Sequence, residues 1–179
     1  MTESQSRRKF LANASCALGA TTLGSSIPLL VNAQESEITP LDLNHAWVFQ
    51  GAGCNVFAIP DVNGDGVMMV DGGLAAHSDA LLDAVLNTFG KDRIDTLVNT
   101  HWHPEQTGSN ERLGSEGAVI IAHEKTKMFL ENAVMSSMYE GRYGPLATAG
   151  LPNRIFRQGG TMKFAGQEIM YGYLPAAHS

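Results

Sequence analysis

The chain has 179 residues, 44% of them hydrophobic and 17% charged, which excludes a disordered or collagen-like polymer and suits one ordinary domain. A formal net charge of -6 argues against a nucleic-acid partner, since neutralising phosphates needs Lys and Arg in excess. Two cysteines, Cys16 and Cys54, are too few for a disulfide framework.

The first element in chain order is a targeting segment. Ser6-Arg7-Arg8-Lys9-Phe10-Leu11 precedes an apolar run of small residues from Ala12 to Leu30, and Val31-Asn32-Ala33 closes it. A basic start, a mild apolar stretch and small residues at the cleavage positions describe a signal peptide over residues 1–33. The paired arginines resemble the twin-arginine signal, which exports folded proteins, so that export machinery is an expected partner and the periplasm the expected location. Gly19, Gly24 and Pro28 make the run a poor membrane span, and no stable anchor is expected. The remainder, residues 34–179, keeps Cys54 as its one thiol; beside Val56-Phe57-Ala58-Ile59 it reads as a small core residue.

Residues 46–59 predict two short strands around Gly51-Ala52-Gly53. Asp61-Val62-Asn63-Gly64-Asp65-Gly66 matches the first half of a calcium loop, but Gly72 stands where the bidentate Glu belongs, so a hairpin turn is expected. Val67 to Val70 predicts a buried strand ending in Asp71-Gly72-Gly73. Leu81, Leu82, Val85, Leu86 and Phe89 recur at helical spacing from Ser78 until Gly90 stops them. A strand over 94–100, a polar loop through Asn110, a strand over 118–122 and a helix over 125–138 follow. Residues 141–160 read as loop, and 167–174 as the last strand. Strands alternating with helices indicate an α/β layered fold.

The chemistry concentrates in Asn99-Thr100-His101-Trp102-His103-Pro104-Glu105-Gln106-Thr107-Gly108. In extended backbone, residues i and i+2 share a face, so His101 and His103 can present two imidazoles to one point at the end of a strand. Neutral imidazole is a leading zinc ligand. Trp102, between them, projects to the opposite face and reads as core. His123, at a strand end, reads as a packed histidine, and a Met-rich stripe holding Met135 and Met138 reads as core.

Four features in order resemble the metallo-β-lactamase superfamily, whose signature is His-x-His-x-Asp-His. They are Val70-Asp71-Gly72-Gly73, His101-Trp102-His103, Ile121-Ala122-His123 and Leu174-Pro175-Ala176-Ala177-His178-Ser179. The resemblance covers residues 46–179 and implies the N-terminal half of a four-layer αββα sandwich, with the C-terminal side truncated. It further implies that His101, His103 and His178 hold one zinc, with a fourth position left for water. Such a metal lowers the pKa of its water toward about 7 and polarises a carbonyl or ester oxygen. Asp71 is then expected behind a ligand histidine, fixing its tautomer.

Two departures qualify this. Glu105-Gln106 replaces Asp-His, so Glu105 keeps a carboxylate for a metal or for a base to the water. Gln106 offers a neutral amide, a poor transition-metal ligand, which leaves a second ion without its usual histidine. The expected function is an exported zinc-dependent hydrolase of a small-molecule amide, lactone, ester or thioester. The alternative is a non-catalytic periplasmic metal-binding remnant.

Overall fold

The computed structural model describes residues 37–44, 46–64, 66–136 and 141–175. The expected signal peptide and cleavage site, and His45 and His178, lie outside the described residues. Seven strands form one sheet: β1 (Thr39–Asp42), β2 (Trp47–Gln50), β3 (Val56–Pro60), β4 (Gly66–Val70), β5 (Arg93–Val98), β6 (Val119–His123) and a later strand beside β6. The first four are joined by antiparallel pairings, and the expected turn after Asp61 closes the β3–β4 hairpin, where Asp61 N–H donates to Gly66 O at 2.9 Å. From β4 onward the pairings are parallel, because the intervening helices carry the chain back to the same end. This α/β arrangement matches the expected fold class.

Register explains the core. Ala58, Met69, Leu97 and Ile120 lie in one row across β3, β4, β5 and β6, and all four are fully buried. They join one apolar cluster with Phe49, Val56 and Val67, and with Leu81, Leu82 and Val85 of helix α1 (Ser78–Phe89). That helix ends as expected: Gly90 takes φ +59°, a left-handed cap that costs glycine little. The neighbouring row, Val48, Phe57, Val70, Val98 and Ile121, faces the other side and leaves Phe57 exposed.

Four expectations need correction. The loop through Asn110 contains helices α2 (Pro104–Thr107) and α3 (Asn110–Ser115); Pro104 at the first position pre-sets φ for α2. The helix expected over 125–138 is α4 (Glu124–Leu130) alone. Asn132 stops it, its side chain donating to Met128 O at 2.7 Å and its backbone N–H to Phe129 O at 3.2 Å. The chain then turns through β7 (Val134–Ser136), which pairs with β8 (Gly141–Tyr143), so Met135 is an exposed strand residue and not core. The loop expected over 141–160 holds the sheet's last strand, β9 (Arg154–Phe156). Asn153 clips it to β6: its side chain accepts from Ile120 N–H at 3.0 Å and donates to Ala118 O at 3.1 Å. Finally β10 (Gly160–Phe164) pairs with β11 (Gln167–Tyr171), so the last expected strand is one arm of a hairpin. Among the described residues no helix is long and apolar enough to cross a membrane.

Candidate metal centre

The parallel strands β4, β5 and β6 deliver Asp71, His101 and His123 to one end of the sheet. Two turns are locked together there. Asp71 takes φ +66°, a conformation tolerated better by Asp than by most side chains, and its N–H extends the ladder to Val98 O at 2.8 Å. Gly72 N–H donates to Gln106 O at 2.7 Å, and Gly108 N–H donates to Gly73 O at 2.9 Å. A Cβ on Gly108 would lie 2.1 Å from Ala75 N, so only glycine allows this approach.

Beneath the turns the buried amides of Asn99 and Asn110 pair reciprocally at 3.0 and 2.9 Å. Asn99 also donates to Gln106 O and Asn110 to Gly150 O. Ser78 hydroxyl donates to Ser109 Oγ, which donates to Gly72 O. These side chains are polar and buried, and their bonds are what makes burial tolerable.

His101 and His103 stand together, ring centroids 4.5 Å apart at an interplanar angle of 73°. Strand β5 ends at Val98, earlier than expected, so irregular backbone and not extended strand presents the pair. Thr100 Oγ1 lies 2.9 Å from His101 Nδ1 and 2.8 and 3.0 Å from the Asp71 carboxylate oxygens. The hydroxyl has one proton. An ionised Asp71 takes it, so Thr100 accepts from Nδ1–H and the His101 lone pair is carried on Nε2. Asp71 therefore acts on the histidine through Thr100, one step further back than a direct contact. Burial pushes the Asp71 carboxyl up to about 6, against the lowering effect of the Thr100 N–H and hydroxyl and with a further upward push from Glu105.

His103 is buried against the edge of Trp102, whose ring packs on Phe129, so Trp102 is core as expected. His103 O accepts from Gln106 N–H, Thr107 N–H and the Thr107 hydroxyl, which also meets Tyr143 OH at 2.7 Å. Glu105 Oε1 is 3.7 Å from His103 Nδ1. His123 is packed, as expected: Nδ1 accepts from Lys125 N–H, Nε2 reaches Arg157 O and the ring stacks on Tyr173 at 4.2 Å.

Cys54 packs against the apolar core, as expected, and also reaches the site: its sulfur donates to Glu105 O at 2.8 Å. Burial, then the Asp71 charge, pushes its thiol up to about 11, so it keeps its proton. Gln106 is only 8% exposed, and its Oε1 is buried with no hydrogen-bond partner. The sequence signal for Cys54 was absent, since 51 residues separate it from Glu105.

Among the described residues no three His, Cys, Asp or Glu side chains stand close enough to hold a metal by themselves. The chemistry of the histidine pair nevertheless suits one: two adjacent imidazoles, one with its tautomer set by Thr100, are two of the ligands a zinc ion takes.

Comparison with known proteins agrees with this geometry. The family model described as the Metallo-beta-lactamase superfamily matches residues 50–179. Among solved structures, BJP-1, a subclass B3 metallo-beta-lactamase of Bradyrhizobium japonicum, has a TM-score of 0.60 at 18% identity, covering 75% of this chain and 52% of that one. A beta-lactamase from Chitinophaga pinensis has a TM-score of 0.60 at 20% identity, covering 79% and 55%. A Cronobacter sakazakii metallo-beta-lactamase described by a HARLDQ motif has 0.60 at 15%, covering 74% and 51%. The chain thus spans about half the length of these structures. No curated protein matches it.

Proposed function

The chain belongs to the metallo-beta-lactamase superfamily, and from that premise we propose that its parent protein is an exported, zinc-dependent hydrolase of the periplasm. The observation that carries this reading is the Asp71–Thr100–His101 chain beside His103, which holds the ring so that Nε2 can meet a ligand.

His101, His103 and His178 would hold the ion. When bound, it would acidify a water and polarise a carbonyl or ester oxygen. The chain's own residues do the rest. Thr100 holds the His101 ring in one tautomer, and the α2 turn orients His103 through its carbonyl. Glu105, partly exposed beside His103, is placed to take a proton from the attacking water. The substrate is a small amide, lactone, ester or thioester; β-lactams are one case, supported by the names of the structural relatives alone.

Gln106 does not count against a hydrolase. The HARLDQ motif of the Cronobacter sakazakii protein ends in glutamine, as residues 101–106 do here. The test is hydrolysis of a panel drawn from the four substrate classes by the parent protein, before and after chelation and after zinc is returned. Activity lost with metal and restored by zinc supports the proposal. Bound metal with no turnover across the panel would favour the non-catalytic alternative instead.

A further inference from the structure

We propose that Tyr173 is a positioning residue of the metal centre: stacked on His123 and bonded to Lys125, it fixes the start of the short tether that carries His178. This rests on the reading of His178 as a ligand of the ion, and it gives that ligand the kind of support that Thr100 gives His101.

The support starts from a fixed platform. His123 and Phe156 are cross-strand partners at the ends of β6 and β9, and parallel pairing puts them at the end of the sheet where Asp71 and His101 stand. His123 is 7% exposed, and both of its ring nitrogens are engaged. Nδ1 accepts from Lys125 N–H at 3.2 Å, so the ring proton sits on Nε2, which donates to Arg157 O at 3.2 Å. The ring also meets Phe156 edge to face, centroids 5.5 Å apart at 75°. Held at both nitrogens, the imidazole cannot turn.

Tyr173 lies on that ring, centroids 4.2 Å apart at an interplanar angle of 12°, and its hydroxyl accepts from Lys125 Nζ at 2.6 Å. The stack sets height and tilt, and the hydroxyl bond opposes sliding. The grip ends there: Leu174 is 74% exposed and Pro175 is exposed. His178 comes five positions after Tyr173, and five residues span at most about 18 Å. Val98 of β5 pairs with Ile121 of β6, and neighbouring strands lie about 4.8 Å apart, so the tether starts one strand away from the segment bearing His101 and His103. A ligand on an unanchored tail must be ordered when the ion binds, and that entropy is subtracted from the affinity. A short tether held at its root leaves less to order.

Zinc affinity of the parent protein, read by competition with chelators of graded strength, tests this in a double-mutant cycle. Tyr173→Leu keeps an apolar side chain but loses the stack and the hydroxyl, and it should weaken zinc at least fivefold. Tyr173→Phe keeps the stack and should stay within twofold of the unmodified protein. In a His178→Ala background Tyr173→Leu should cost less than twofold, because the ligand it supports is gone. An equal loss in both backgrounds, or undiminished affinity in Tyr173→Leu, overturns the inference and leaves His178 standing as a ligand. A metal-free Tyr173→Leu protein that fails to fold in a denaturant-unfolding test shows a structural role and overturns it too. Undiminished affinity in His178→Ala contradicts the reading of His178 itself.

Discussion

The shelf under His101 and the β10–β11 hairpin are held by opposite means. On the shelf, Asn99 and Asn110, and Ser78 and Ser109, are bonded in pairs and to the backbone of the turns around them, and Thr100 is bonded to the Asp71 carboxylate. The hairpin pairs five residues along its length but leaves Met170 81% exposed, and its described contacts elsewhere are ring contacts such as Tyr171 on Phe156. Directional bonds between buried groups admit one geometry, whereas ring contacts tolerate sliding. The chain has spent its polar cross-links where two imidazoles must be aimed.

The comparison breaks most severely at Gly108. Gly108→Ala puts a Cβ 2.1 Å from Ala75 N and 2.4 Å from Gly73 O, both backbone atoms that cannot step aside. We expect a loss of more than about 3 kcal/mol in denaturant unfolding, and a smaller loss would mean the turns are loosely joined. Asn99→Ala removes one half of the amide pair and orphans groups on Asn110 and Gln106, at a cost of about 2–3 kcal/mol by the same measurement.

Asp71 gives a pH signature of similar size. Its carboxyl, raised to about 6 from 3.8, binds its proton more tightly folded than unfolded. The folded state therefore holds more protons between these values, and the metal-free protein loses up to roughly 3 kcal/mol as pH rises from 4 to 6. Above pH 6 this contribution is flat. Asp71→Asn should lack that slope, so the gap between the two stability curves should change between pH 4 and 6; parallel curves would refute the shift. At the other extreme, Met170→Ser on the hairpin should change stability by less than about 0.5 kcal/mol, and a larger loss would show packing there that exposure conceals.

What the sequence disclosed, and what it hid, follows the same division. Helix α1 was legible because five apolar residues keep its period and Gly90 ends it. His101 and His103 were legible as a pair because two residues of spacing suffice to write it. Strand β9 was not, since three residues have no period and Asn153 fixes them through bonds to β6. Nor was Thr100, which bridges to a carboxylate 29 positions away, or Cys54, which meets Glu105 across 51. Local pattern reports elements and short motifs, while the supports of a site are joined across the fold.

Metal analysis of the parent protein and of its His101→Ala variant, each dialysed against metal-free buffer, tests the central claim most directly. The account predicts at least one retained equivalent of zinc in the parent and loss of most of it in the variant, since removing one of three histidine ligands leaves the ion two imidazoles. Undiminished zinc in His101→Ala would contradict it.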